Sequence, residues 1–353
     1  MNTTRTTNAH QRSRALLACA TVFIAAALSV GTPQPVSATP PGVNGRISFM
    51  RHDADGYWQV WTANPDLSES QQITDGDYDS GWATWSPDGA RLVFNSTRDD
   101  GAYSGEISDI FVMNADGTEV EKLTQSESWN EQPVWSPDGD LIAFVGLSDD
   151  EQGIYVVRPD GTDLHLVTTL PTGTGRGYYH VAPRFSPDGR SLVYTVVRLG
   201  KDGPGGYHGE VTALYVADVD GSNPHRITPW GITPGDADWS PDGRHIVFDT
   251  VVNHLGHTNR LMVVDADGSN LRALTTDHGT TGIGRFDALR IEQSFNPVWS
   301  PDGSTIMFSH FELTGDGEFV LGLQTIRPDG TGQKWVDCCG DEHQAAWGTA
   351  PLQ

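Results

Sequence analysis

Basic residues, cysteine and long apolar runs are all scarce in this chain. Its 353 residues include 22 Lys and Arg against 46 Asp and Glu, a net charge of −24, and only three cysteines. A surface of this sign keeps a protein soluble, repels nucleic acid and anionic lipid, and attracts cations or basic partners. No stretch shows helical periodicity, whereas 40 Gly and 21 Pro indicate many turns. We therefore expect an all-β chain with no nucleic-acid partner.

The first 38 residues have the layout of a secretory signal peptide. Arg5, Arg12 and Arg14 precede the apolar run 15–30, and small residues lead to Ala38, where we expect cleavage. The run is short for a bilayer span of about 20 residues, so cleavage is favoured over an uncleaved anchor. We predict an exported chain, extracellular or in the periplasm or cell envelope, with no transmembrane span after cleavage.

A Ser-Pro-Asp-Gly turn preceded by an aromatic residue recurs five times. Pro fixes φ and donates no hydrogen bond, Asp caps the turn with its side chain, and Gly adopts the left-handed conformation that closes a hairpin. The recurrence at steps of 50 to 60 residues is typical of a repeat architecture. The aromatic residues, called marker aromatics below, are Trp85, Trp135, Phe185, Trp239 and Trp299.

Each repeat contains four short strands. A strand ending at the marker aromatic is followed by one such as "LIAF", a third such as "IYVVRPDG" and a fourth such as "HLVT". Four-stranded units repeated radially form a β-propeller. Residues 45–74 supply strands two to four of one more unit, and the segment around Trp347 supplies its first strand. The sequence thus predicts a six-bladed β-propeller of antiparallel blades, a single domain over 39–353, closed by the C-terminal strand completing the N-terminal blade.

The "WSPDG" turn followed by "IAF" and "IYVVRPDGTDLHLVT" resembles the repeat of TolB-like six-bladed propellers, over residues 44–351. We expect the mature chain to enter its first blade almost at once, without the small α/β domain that precedes the propeller in TolB, so the resemblance implies the fold rather than a Tol-Pal role. Similar propellers accompany prolyl-oligopeptidase-like peptidases. The nucleophile motif G-x-S-x-G is absent from this sequence, which disfavours a hydrolase of that kind.

The two faces of such a propeller differ in their connections. We call hairpin face the side that carries the turns between strands one and two and between strands three and four of each blade. The long, irregular connections lie on the opposite side, the loop face, where binding residues are expected to concentrate. The residues just before each first strand should surround the mouth of the central channel and hold a ligand. They are Trp82, Glu131, Gln132, His180, Asp236, Asn296, His343 and Gln344.

Cys338 and Cys339 are the only thiols after signal cleavage. In an exported protein such adjacent cysteines are expected to form a vicinal disulfide. Alternatively, they could bind zinc or copper together with Asp341, Glu342 or His343, because thiolate and imidazole are ligands that these metals prefer. We expect no cofactor, with a bound metal ion as the alternative.

Three functional hypotheses follow. The first is a monomeric, non-catalytic binding or scaffold module that engages a protein, peptide or glycan through the loop face. The second is a polysaccharide lyase or hydrolase with a metal-assisted site at the channel mouth, in which His180 or His343 is the base or metal ligand and Glu131 or Asp236 assists. The third is a detached relative of peptidase propellers that acts with a separate catalytic chain.

Overall fold

The structure is a computed structural model that describes residues 42–99, 107–125, 129–148, 151–168, 178–198, 211–250, 260–275, 291–313, 319–336 and 342–349. These residues form 24 strands in six four-stranded antiparallel sheets, and they contain no helix. The predicted all-β, six-bladed propeller is confirmed. The predicted signal peptide and the pair Cys338 and Cys339 lie outside the described residues.

The strands follow the chain in the order that the repeat predicts. The first twelve are β1 (Ile47–His52), β2 (Trp58–Ala63), β3 (Gln71–Gln72), β4 (Ser80–Trp85), β5 (Arg91–Ser96), β6 (Asp109–Asn114), β7 (Glu121–Lys122), β8 (Asn130–Trp135), β9 (Ile142–Ser148), β10 (Glu151–Val157), β11 (His165–Leu166) and β12 (Tyr178–Phe185). The other twelve are β13 (Ser191–Arg198), β14 (Val211–Asp218), β15 (His225–Arg226), β16 (Pro234–Trp239), β17 (His245–Thr250), β18 (Leu261–Asp265), β19 (Arg272–Ala273), β20 (Ile291–Trp299), β21 (Ile306–Leu313), β22 (Phe319–Ile326), β23 (Lys334–Trp335) and β24 (His343–Trp347).

Consecutive groups of four strands form the blades. Blade 1 is β4 to β7, blade 2 is β8 to β11, blade 3 is β12 to β15, blade 4 is β16 to β19, and blade 5 is β20 to β23. Blade 6 has the order β24, β1, β2, β3, with Ile47 paired to Trp347. The C-terminal strand therefore supplies the innermost strand of the blade that the N-terminal segment begins, as the sequence predicts.

The core consists of six apolar clusters, one between each pair of neighbouring blades. Each cluster contains one marker aromatic, with Trp347 taking that role in blade 6. Trp239, for example, packs with Val193 and Leu214 of blade 3 and with Phe248 of its own blade. The aromatic residue that precedes each Ser-Pro-Asp-Gly turn therefore joins its blade to the preceding one.

The turns themselves also join blades. In the turn of blade 4, Ser240 Oγ donates a hydrogen bond to Asp242 Oδ1 at 2.6 Å, and Gly243 takes a φ of 69°. The same glycine lies against the turn of blade 3, where a Cβ added to it would be 3.6 Å from Pro187 Cγ. Equivalent proline and glycine contacts recur between blades 1 and 2, 2 and 3, and 4 and 5. The recurring pentapeptide therefore shapes each hairpin and stacks it on its neighbour.

Candidate functional site

The innermost strands share an irregularity at one level of the channel. Each of them has a register shift against its partner, as a β-bulge produces. In five blades the residue three positions before the marker aromatic has a φ between 51° and 55°. A left-handed conformation in a non-glycine residue costs about 1–3 kcal/mol and is a pointer to function. These five residues are Trp82, Gln132, Ala182, Asn296 and Gln344, and Asp236 has the equivalent place in blade 4.

Four of the predicted site residues line a narrow space in the channel. They are Trp82, Gln132, Asn296 and Gln344. The space has a volume of about 20 Å³, close to the minimum that a single water molecule requires. At this level the channel therefore has no room for a larger ligand, and the residues lie inside the innermost strands rather than just before them.

Side chains of this ring tie neighbouring blades together. Gln132 Oε1 accepts a hydrogen bond from the Ala182 amide at 2.8 Å, and Asn296 Nδ2 donates one to Asp236 Oδ2 at 2.5 Å. Gln344 Oε1 is buried and has no hydrogen-bond partner among the described residues. Gln132, Asn296 and Asp236 thus stabilise the ring, while Gln344 leaves an acceptor unused.

Charged groups lie beside the ring in blades 3 and 4. Arg184 lines the channel, and burial raises the pKa values of Asp236 and Asp238, that of Asp238 to about 6, although Arg184 opposes the rise in both. Asp238 Oδ2 accepts a hydrogen bond from the Trp299 amide at 2.8 Å. Asp249 lies behind the strand and accepts one from the Asp236 amide at 2.7 Å, and burial and the Asp236 charge raise its pKa well above the usual range. Asp236 and Asp238 thus share the Arg184 guanidinium, whereas Asp249 interacts with Asp236.

His180 belongs to a different row of side chains. It stands five residues before its marker aromatic, is 2% exposed, and its Nδ1 lies 2.8 Å from Thr168 Oγ1. In blade 2 the same row holds Asn130, which donates to the equivalent hydroxyl of Thr124 in blade 1. Burial lowers the pKa of His180 to about 4, so its ring is neutral at pH 7. Its contacts are those of a structural residue beside the channel, and it is not among the lining residues.

Glu131 and His343 occupy the row between, four residues before the marker. Burial raises the pKa of Glu131. His343 makes an edge contact with the Trp58 ring, with centroids 4.3 Å apart, and Trp58 packs on His52. The neighbouring Glu342, 2% exposed, forms an ion pair with Arg51. Aromatic and charged side chains therefore cluster at the loop-face end of blade 6, next to Gln344.

The roles that sequence reasoning missed are those of Arg184, Asp238 and Asp249. Each of the first two stands one residue before a marker aromatic, two residues beyond the ring position. The bulge at the ring position disturbs the alternation of faces, so a simple period of two did not assign them to the channel. Asp249 lies on the second strand, where only the three-dimensional pairing brings it to Asp236.

Metal ligation and membrane insertion have no support within the described ranges. In them, no three His, Cys, Asp or Glu side chains are grouped as metal ligands. No helix in the same part of the chain has the length and apolar character needed to cross a bilayer. The proposed pairing or metal binding of Cys338 and Cys339 stays a prediction, because both lie outside the described residues.

Comparison with known proteins gives one family model and several structural relatives. The family model described as the TolB beta propeller domain matches residues 40–175. A curated, uncharacterised protein of Agrobacterium fabrum is 28% identical over 176 residues, which are 47% of this chain and 50% of that protein. The match thus spans half the length of that relative.

Solved structures with the same fold include a TolB, a putative TolB and an oligogalacturonate lyase. TolB from Acinetobacter baumannii aligns with a TM-score of 0.61 at 17% identity, covering 89% of this chain and 68% of its own. A putative TolB from Agrobacterium tumefaciens aligns with a TM-score of 0.57 at 20% identity, and the alignment covers 85% of this chain and 91% of that protein. An oligogalacturonate lyase from Vibrio parahaemolyticus aligns with a TM-score of 0.53 at 16% identity, and the alignment covers 84% of this chain and 74% of that protein. At these identities the likeness is one of fold, and the fold hosts both binding and catalysis.

Proposed function

We propose that this chain, a TolB-like six-bladed β-propeller, is an exported binding module that engages a protein, peptide or glycan across its loop face without catalysing a reaction. The observation that carries the proposal is the closed ring in the channel. Its space of about 20 Å³ cannot enclose a sugar or peptide residue, because ligand pockets usually measure about 300–1,000 Å³. A ligand on the loop face would therefore rest above this ring, on a broad surface.

The ring supplies a rigid base for such a surface. Gln132, Asp236 and Asn296 form hydrogen bonds in and around the ring. These bonds fix the geometry of the ring, so the three side chains are not assigned to ligand contact. Trp82 and Gln344 are the two members of the predicted set that we assign to direct ligand contact. Trp82 offers an aromatic surface that suits a sugar ring or an apolar side chain, and the buried Gln344 Oε1 offers an unused acceptor to a ligand group small enough to enter the ring.

The proposal that the protein is exported rests on residues 1–38. Their signal-peptide layout supports export, and the net charge of −24 suits a soluble protein outside the cytoplasm. We propose that the mature protein is a monomer in the periplasm, cell envelope or extracellular space.

Binding can be tested with a glycan array that includes oligogalacturonates and with an immobilised peptide library. The test variants are Trp82→Ala and Gln344→Ala, because Ala182 already adopts the same left-handed conformation at this position with a φ of 54°. Leu164→Ala is the matched control, since Leu164 is a 51% exposed apolar side chain on the hairpin face. We expect a ligand whose retention falls at least about tenfold in the two ring variants and stays unchanged in the control.

The lyase or hydrolase alternative predicts different results. Protein purified without chelators would then contain about one transition metal per chain, and it would cleave oligogalacturonate or another acidic polysaccharide in a metal-dependent reaction. We expect neither stoichiometric metal nor turnover. Turnover abolished by a chelator would replace the binding proposal with the enzymatic one.

A further inference from the structure

A depression of about 580 Å³ lies on the hairpin face between blades 4 and 5. Two neighbouring Ser-Pro-Asp-Gly turns, 240–243 and 300–303, form most of its lining, and Gly42, His245, Trp299 and Pro328 supply the rest. Its volume falls within the range of about 300–1,000 Å³ that ligand sites occupy. It therefore has the room that the ring inside the channel lacks.

The N-terminal segment gives this junction a wall. Gly42 donates its amide hydrogen to Pro301 O at 3.2 Å, and the Asp302 amide donates to Asn44 Oδ1 at the same distance. The turn contact between Pro241 and Gly303 resembles those at other junctions, but here a second length of backbone lies along the turn. The junction is thereby a groove with backbone on one side rather than a shallow step between blades.

The groove has an apolar lining. Pro241 and Pro301 are buried, Pro328 is partly buried, and Trp299 is 3% exposed. The proline edges that reach the groove, Pro328 most of all, suit a segment in the extended polyproline conformation, which is preformed and loses little entropy on binding. The lining thus favours a proline-containing peptide over a strongly hydrated ligand.

The rim of the groove is acidic. Asp242 and Asp302 are both exposed, and although partial burial acts to raise their pKa values, hydrogen bonds from Ser240 and Ser300 and from backbone amides lower them overall. The only cation that pairs with them in the described ranges is Arg244, whose Nε lies 4.0 Å from Asp242 Oδ2 and whose side chain is 80% exposed. The rim therefore keeps net negative charge, which complements Lys or Arg.

His245 lies in the lining, and its Nδ1 is 3.0 Å from Asp265 Oδ1. Hydrogen bonds from Asn270 and His245 lower the pKa of Asp265, which is a further ionised carboxylate behind the rim. A basic group entering the groove thus meets three carboxylates and two guanidinium groups, those of Arg244 and of Arg272, whose Nη2 donates to Pro328 O at 3.0 Å.

We propose that this groove docks an extended, proline-containing segment of a partner protein that carries Lys or Arg. The site lies on the hairpin face, opposite the proposed loop-face site. One chain then holds two partners at once, and the net charge of −24 steers the basic one toward it.

The test uses a synthetic peptide of ten residues in which five prolines alternate with five arginines. Its binding to the mature chain is measured by calorimetric titration. Control peptides replace arginine by glutamate or proline by glycine. The test variant, Asp242→Asn with Asp302→Asn, keeps the turn hydrogen bonds because an amide oxygen accepts as the carboxylate does. Asp138→Asn with Asp188→Asn is the matched control, since these residues make the same serine bonds in the turns of blades 2 and 3.

We expect the proline-arginine peptide to bind more tightly than both control peptides. The groove variant should weaken it about tenfold, because it removes two exposed charge contacts, and the matched variant should change it less than about twofold. Trp82→Ala should leave this binding unchanged, which separates it from the loop-face proposal. Equal loss in both double variants, or equal binding of the glycine-arginine peptide, would mean general attraction to an acidic surface and would overturn the proposal. Self-association abolished by the groove variant would assign the groove to a second copy and would also overturn it.

Discussion

The marker tryptophans offer a test of what holds the blades together. Within the described ranges, the indole N–H groups of Trp85, Trp135, Trp239, Trp299 and Trp347 are buried without a hydrogen-bond partner. A buried unsatisfied donor costs about 1–3 kcal/mol. Blade 3 carries Phe185 at this position, fully buried in the same kind of cluster. The packing of the ring, rather than the indole nitrogen, should therefore stabilise the junction.

The variant Trp239→Phe tests whether ring packing or the indole N–H stabilises the junction between blades 3 and 4. The change removes the unpaired donor and leaves a gap of roughly 40 Å³, which costs about 1 kcal/mol at about 24 cal/mol per Å³. Because these two effects oppose each other, we expect a free energy of unfolding within about 1 kcal/mol of the original. Trp239→Ala removes the ring from a cluster in which it is 5% exposed and should cost about 3–5 kcal/mol. Phe185→Trp should be destabilising, because it adds both volume and an unpaired donor.

Guanidinium unfolding, followed by circular dichroism, gives the midpoints and slopes for all three variants. The expected order of stability is Trp239→Phe, close to the original, then Phe185→Trp, then Trp239→Ala. If Trp239→Phe lost as much as Trp239→Ala, the indole N–H would be contributing through a bound water or an aromatic ring. The account of the marker position as a pure packing site would then be wrong.

The remaining predictions concern pH and backbone. The raised pKa of Asp238 means that the folded state retains a proton that the unfolded chain has lost, so stability falls as pH rises from 3.8 to about 6. Asp238→Asn should remove this loss and raise stability at pH 7 by about 3 kcal/mol. The lowered pKa of His180 has the opposite effect: the free energy of unfolding falls as pH falls from 6.5 to about 4, because the unfolded chain binds the proton first. His180→Asn should remove this pH dependence in unfolding curves recorded across that range. Gly221→Ala should be strongly destabilising in thermal melts because its Cβ would lie 2.1 Å from Val167 O, whereas Gly56→Ala, with no atom within 4 Å, should cost only the strain of its positive φ.

The fold was predictable because its signal is periodic. Each Ser-Pro-Asp-Gly turn dictates a hairpin through local chemistry, and Trp347 stands close to one repeat length after Trp299. These two observations fix the blade count and the closure by β24. No long-range contact had to be guessed, since each blade pairs only strands that follow one another, apart from the closing pair.

The site was only partly predictable because single-residue register decides which side chain faces the channel. The ring position is three residues before the marker aromatic, and four residues of the predicted set line the channel there, namely Trp82, Gln132, Asn296 and Gln344. His180 stands two residues earlier, where strand β12 runs on beyond the bulge and its ring faces Thr168. A bulge of one residue reverses the alternation, and sequence alone does not locate it.

The most direct measurement is photo-crosslinking of the mature protein to its partner in its own compartment. Benzoylphenylalanine is placed at Asp77, an exposed residue of the loop-face connection that leads into β4, and separately at Asp116, an exposed residue of a turn on the hairpin face. The loop-face account predicts a discrete adduct from position 77 that disappears when Trp82→Ala is added. No adduct from position 77, or one that persists unchanged in Trp82→Ala, would contradict the claim that the channel mouth is the recognition surface.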